Sequence, residues 1–142
     1  VKNFSYRYEK ILHLKTFIRK QKEYEFSEIA LLIENMRNKI KEYKEFLENP
    51  PAAQDEQLEL QYRRYFDAIA AEIKFLDGEI EKLLPEYNRR REKYIAAKKE
   101  ERILEKLKEK RYNKYISDFY HEENKILDEI STNKYHEKEF NI

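Results

Sequence analysis

The sequence predicts an all-α protein: two long helices paired as an antiparallel coiled-coil hairpin. Three observations carry this. Of 142 residues only one is Gly and three are Pro, so there are few places for the chain to turn. Two of those prolines, Pro50 and Pro51, stand together in "ENPPAAQD", residues 48–55. On both sides of that break, apolar residues recur at steps of three and four, the period of a supercoiled helix seam.

The first helix is predicted over about residues 3–48, which contain no Gly or Pro. Its seam is Phe26, Ile29, Ile33, Met36, Ile40, Tyr43 and Leu47, at 3-4 spacing without a miss. The turn falls at about 49–54, because each proline lacks an N–H and disfavours helical geometry in the residue before it. Asp55 can then cap the next helix with its side-chain oxygen.

The second helix is predicted over about 55–139, broken in composition only by Gly78 and Pro85. Its seam positions are 62, 66, 69, 73, 76, 80, 83, 87, 90, 94, 97, 101 and 104. Eleven of these thirteen are apolar, Tyr or Ala, the exceptions being Arg90 and Glu101. The seam passes Pro85 in phase, which predicts a kink near Pro85 and not a reversal. No stretch this long without turn signals folds as strands. The chain therefore reads as a single coiled-coil domain, 1–142.

A short linker favours antiparallel neighbours. A tip at Pro50–Pro51 puts Leu47 near the start of helix two and Phe4 near residue 100. Residues from about 101 onward then overhang, carrying their own stripe of Tyr112, Ile116, Phe119, Ile126 and Ile130. A second pairing stays open. Both helices show one eight-residue step, Ile18 to Phe26 and Leu104 to Tyr112. If those steps lie opposite each other, the termini pair and residues 50–84 form a separate excursion.

Charged residues make up 42% of the chain, which alone would suit disorder, but 40% hydrophobic and 14% aromatic content argues against it. Net charge is only +1. It is unevenly spread: residues 89–114 hold twelve Lys or Arg against five Glu, and residues 115–142 hold seven acidic against three basic side chains. The basic stretch reads either as an electrostatic face for an acidic partner or as a solvated exterior. Glu92, Glu100, Glu101, Glu105 and Glu109 interrupt it at nearly every turn, which weakens a nucleic-acid reading. The absence of Cys suits a reducing compartment. No apolar run approaches the roughly 20 residues of a membrane span, and the N-terminus has no apolar signal core. The expectation is a soluble, cytoplasmic protein without direct membrane insertion.

The sequence offers no catalytic constellation. One Gly cannot build a Gly-rich phosphate loop. His13, His121 and His136 are scattered, and no zinc-type spacing accompanies them. Carboxylates on solvated helix faces lack the desolvated pocket that shifts a pKa. No catalytic residue, cofactor or metal is expected. Tyr43, Tyr62, Tyr65 and Phe66 cluster around the turn, either as seam or as a recognition patch. Tyr62, Tyr65, Phe66 and Ile69 cannot all face one partner helix, so some should be exposed.

Three segments resemble the FliJ family of bacterial flagellar proteins. They are the opening "FSYRYEKILHLK", the aromatic "YRRYFDAIAAEI" after the turn, and the closing "RRREKYIAAKKEERILEKLKEKRYNKYISDFYHEENKILDEI". The resemblance spans nearly the whole chain. It implies a non-enzymatic antiparallel coiled coil, similar in architecture to the rotor gamma subunit of F-type ATP synthases. The implied role is a stalk and chaperone escort of the flagellar type III export apparatus, cytoplasmic and peripheral to the inner membrane at the basal body. Implied partners are a FliI-type export ATPase ring, the cytoplasmic domain of an FlhA-type export gate, and export chaperones, with no nucleic acid. Carried over by position, the gate-facing residues are Met36, Ile40, Tyr43, Leu47, Tyr65 and Ile69. The ATPase-facing residues are Phe4, Tyr8, Ile11, Leu104, Leu107, Lys110 and Arg111. The alternatives are a generic coiled-coil scaffold or homodimer, or a nucleic-acid-binding coiled coil.

Overall fold

The computed structural model describes residues 3–140, with the Phe140 side chain outside the description. Two α-helices and no strand occur among the described residues: α1, Glu9–Glu48, and α2, Glu56–Phe140. Contacts gather the chain into two compact units, Ile18–Ala97 (the turn unit) and Val1–Phe17 with Lys98–Ile142 (the terminal unit).

In the turn unit, α1 ends where Pro50 forbids another helical residue, and the Asn49 N–H still donates to the Glu45 carbonyl at 3.1 Å. Residues 49–55 are non-helical and exposed. Asp55 restarts the helix: its Oδ1 accepts from the Leu58 N–H at 2.6 Å, and its carbonyl accepts from the Glu59 N–H at 3.0 Å. Glu56 and Glu59 add negative charge at the positive end of the helix dipole.

The core of this unit is Ile29, Ile33 and Ile40 of α1 against Leu76 and Ile80 of α2. Met36, Tyr43, Ile73, Leu83, Leu84 and Tyr87 pack around it half-buried. The contact order shows the helices antiparallel. Phe26 lies against Tyr87 and stacks on Tyr94, with centroids at 5.2 and 5.9 Å, while Phe46 lies against Tyr65 and Phe66 at 5.5 and 5.8 Å.

These contacts select the first of the two pairings, since residues 62–84 lie along α1 and make no excursion. They also shift the register. Phe46, beside Leu47, meets residues 65 and 66 instead of the start of α2. Residues 56–61 run exposed past the paired part, apart from half-buried Leu58. The helix continues through Pro85, which is exposed. The Glu81 carbonyl that loses its N–H partner there belongs to an exposed residue, so water can replace the bond.

The polar seam residue Arg90 is half-buried and fully engaged. Its Nη1 donates to the Glu25 carbonyl at 2.8 Å, its Nε donates to Glu86 Oε1 at 2.9 Å, and Glu28 lies 3.7 Å away. Glu101, the other polar seam residue, lies in the terminal unit and is only 6% exposed.

In the terminal unit, α1 begins at Glu9, six residues later than predicted from the lack of breakers. The reason is competition from ring packing. Tyr6 is buried and its hydroxyl donates to the Leu104 carbonyl at 3.1 Å. Phe4 meets Tyr112 edge-on at 5.2 Å and Tyr115 at 5.5 Å. A turn in which the Glu9 N–H donates to the Tyr6 carbonyl then leads into the helix.

The predicted overhang is corrected accordingly. Phe4 lies beside residue 112 and not residue 100, and residues 101–116 are partly covered by the N-terminal segment. Leu12 is buried, Lys15 pairs with Glu100 at 2.9 Å, and Lys108 with Glu9 at 2.9 Å. Every residue from 120 to 139 is exposed, so the uncovered stretch starts almost twenty residues later than expected. Of the predicted stripe, Ile116 and Phe119 are half-buried, and Ile126 and Ile130 are exposed.

Candidate partner-binding surfaces

The two sets of candidate contact residues fall in different units. Met36, Ile40, Tyr43, Leu47, Tyr65 and Ile69 all belong to the turn unit. Ile40 and Ile69 are buried between the helices, and Met36, Tyr43 and Leu47 are half-buried. Only Tyr65 is largely free, 52% exposed, its ring meeting Phe46 edge-on. Five of the six therefore hold the helix pair together, and what they offer a partner is the outer rim of a packed seam. Lys39 caps this rim, its ammonium 5.9 Å from the Tyr43 ring centroid. Phe46 was missed by sequence reading because it sits beside, not on, the 3-4 series, yet it organises the aromatic cluster.

Phe4, Tyr8, Ile11, Leu104, Leu107, Lys110 and Arg111 all belong to the terminal unit. The structure brings several of them together. Tyr8 meets Tyr6 edge-on at 5.9 Å, and the Arg111 and Arg7 guanidinium carbons lie 5.3 and 5.6 Å from its centroid. Cations over a partly desolvated ring are held by its quadrupole. Ile11, Lys110 and Arg111 are exposed, and Phe4, Tyr8, Leu104 and Leu107 half-buried. An open groove lined by Phe4, Leu12, Glu105, Lys108, Glu109 and Tyr112 runs beside them.

Two carboxylates are perturbed. The hydrogen bond from Lys108, reinforced by its charge and by His13 at 3.1 Å, holds Glu9 below its ordinary value. Hydrogen bonds from Arg89 and then Arg90 hold Glu86 down at about 2, and the same Glu86 bond raises Arg89. All three lie on solvated helix faces and act as structural ion pairs. Among the described residues, no group of three or more His, Cys, Asp or Glu is placed to hold a metal, and no helix is long and apolar enough to cross a membrane.

Some exposed apolar side chains lie outside both sets. Phe17 and Tyr24 on α1 and Ile103 on α2 are 65%, 71% and 66% exposed. Periodicity could not find them, because they lie off the seam.

No curated protein and no solved structure matches this chain. The family model described as "Flagellar FliJ protein" matches residues 4–140. That match covers both units, the turn and the opening segment whose rings pack on α2. The chain belongs to the FliJ family, a family of flagellar export-related proteins.

Proposed function

We propose that this chain is a non-enzymatic stalk linking a FliI-type export ATPase ring to an FlhA-type export gate, and an escort for export chaperones at the cytoplasmic face of the flagellar base. Family membership supports the export context. The observation that carries the finer reading is that the two candidate surfaces belong to different units. One unit offers an aromatic rim at Tyr43 and Tyr65, and the other a cationic and aromatic group at Tyr8, Lys110 and Arg111, followed by an uncovered helix. Both units share α2, so a load on one surface has a continuous helical backbone to act through.

The gate surface uses exposed Tyr65 and the outer edges of Met36, Tyr43 and Leu47. Ile40 and Ile69 act from beneath by fixing the position of that rim. The ATPase surface uses Ile11, Lys110, Arg111 and the Tyr8 ring, with Phe4, Leu104 and Leu107 as support.

Pull-down with a FliI-type ATPase tests this. Full-length chain should retain the ring. A chain truncated after Lys99 should lose it, and so should Lys110→Glu/Arg111→Glu, which keeps the packed residues intact. Retention of the ring by both variants would refute the terminal unit as its contact. Tyr65→Ala, at an exposed position, should weaken capture of the gate domain while leaving helicity unchanged.

A further inference from the structure

In sequence, the basic stretch is diluted by glutamates. In the structure most of these glutamates are drawn towards α1 or into a groove within the terminal unit. Glu100 reaches Lys15 of α1, Glu101 is buried, and Glu105 and Glu109 line the groove that also holds Phe4 and Leu12. The acidic side chains thus turn towards the N-terminal segment. Lys99, Arg102, Lys106 and Lys110 follow steps of three or four, share a face away from that groove, and are all exposed, whereas Lys114 lies beside Asp118 in a groove with Phe4 and Ser5. Arg102 lies 3.7 Å from Glu105, in a solvent-exposed pair of little strength. The ridge covers twelve residues, about 17 Å at 1.5 Å per residue.

We propose that this ridge is a reversible docking face for an anionic phospholipid surface. The role is additional to ring and gate binding, shares Lys110 with the proposed ring surface, and involves no insertion of a helix. Three of the four cations are Lys, compact point charges suited to diffuse attraction and not to the bidentate fork by which Arg reads a fixed phosphate or carboxylate. The ridge is the exposed back of a helix whose other side is partly covered by the N-terminal segment. A plane of headgroups reaches its four charges together. Ile103 stands exposed among Lys99, Arg102 and Lys106, where an apolar side chain can enter the headgroup layer while the cations hold phosphates. Exposed Tyr120 follows on the same side, a residue type that settles at that depth. Nucleic acid fits less well. Residues 99–110 carry no aromatic ring on which a base could stack, Tyr112 and Tyr115 point to Phe4, and Asn113 is the one amide nearby able to read a base edge.

Co-sedimentation of the full chain with phosphatidylcholine vesicles, with and without phosphatidylglycerol, tests the proposal. Binding is expected only with phosphatidylglycerol, and should vanish at 1 M salt, where the Debye length is about 3 Å. Each cation is worth about fivefold in partitioning, so Lys99→Gln/Arg102→Gln/Lys106→Gln should lose about a hundredfold. Arg37→Gln/Lys41→Gln/Lys44→Gln removes the same charge from exposed positions of α1 and should stay within about twofold of wild type. Circular dichroism should show equal helicity in all three proteins. The proposal fails if phosphatidylglycerol vesicles are not bound, or if phosphatidylcholine alone binds as well. It fails equally if the α1 triple variant loses as much, or if duplex nucleic acid binds more tightly than the vesicles through the same three residues.

Discussion

The turn unit and the terminal unit are both built from α1-side residues packed on α2, yet they are held by different forces. The turn unit rests on branched aliphatic side chains: Ile29, Ile33, Ile40, Leu76 and Ile80 are each less than a tenth exposed and in mutual contact. The terminal unit has Tyr6 and Leu12 as its buried apolar side chains. It adds ring edges, one hydroxyl-to-backbone bond, and ion pairs from Lys15 and Lys108. Non-directional burial grows with every apolar atom removed from water and is little affected by salt. Directional polar contacts depend on a few atoms and on their charge states. The turn unit should therefore govern global stability. The terminal unit should open more readily, as suits a region whose far part, residues 120–139, is uncovered.

The largest test of that contrast is Ile33→Ala. Ile33 is 3% exposed at the centre of the aliphatic cluster. Its truncation removes transfer energy and leaves a cavity, a loss of about 2–5 kcal/mol. Urea unfolding followed by helical circular dichroism should show the midpoint falling with little change in slope. A loss below 1 kcal/mol would mean that the turn unit does not depend on this cluster.

Tyr6→Phe asks the complementary question of the terminal unit. It removes only the hydroxyl that donates to the Leu104 carbonyl, worth about 0.5–1.5 kcal/mol. The change should surface in hydrogen exchange as faster opening around residues 6–15 and 104–112. Amides near Ile33 and Ile80 should be unaffected. If protection falls evenly over both units, they do not open separately.

Gly78→Ala sharpens the account of the turn unit by strengthening it. Gly78 is half-buried inside α2, has no positive φ, and a Cβ there would meet nothing within 4 Å. Alanine costs less conformational entropy in a helix, so stability should rise by about 0.5–1 kcal/mol. Destabilisation would show that another molecule or a closer packing needs the bare backbone.

How much of this was readable beforehand follows from the nature of each signal. All thirteen seam positions of α2 are buried or half-buried, including Arg90 and Glu101. Period alone placed them, because residues at 3.5 spacing share a face whatever their chemistry. The Asp55 cap was equally plain, since an acceptor side chain after two prolines has one obvious use. Register was not readable. A heptad pattern looks the same after sliding by seven, so it names the face and leaves the offset open, and Phe4 landed beside Tyr112 and not near residue 100. The non-helical opening was hidden too. Residues 3–8 carry no breaker, and only the rings they meet on α2 show why a helix loses there. The candidate gate residues were named from resemblance. Their burial could not be separated from their exposure until the partner helix was in place, and Ile40 and Ile69 proved to lie inside the pair.

The smallest expected effect concerns charge state and again separates the units. Glu9 ties the start of α1 to Lys108, and that hydrogen bond holds its carboxyl below the ordinary 4.5. A carboxylate with a depressed folded-state pKa stabilises fully above its unfolded value and loses that contribution as pH falls through the folded one. Protection at the start of α1, corrected for intrinsic exchange, should therefore hold down to pH 4.5 and decline below it. Glu9→Gln should remove the step and leave a weaker, pH-independent contact. Glu86 behaves in the same sense within the turn unit, over the window from 4.5 down to about 2. There the aliphatic cluster remains whatever its charge, so protection around Ile80 should change little over that window. A decline at Ile80 as large as that at the start of α1 would show that ion pairs, and not apolar burial, hold both units.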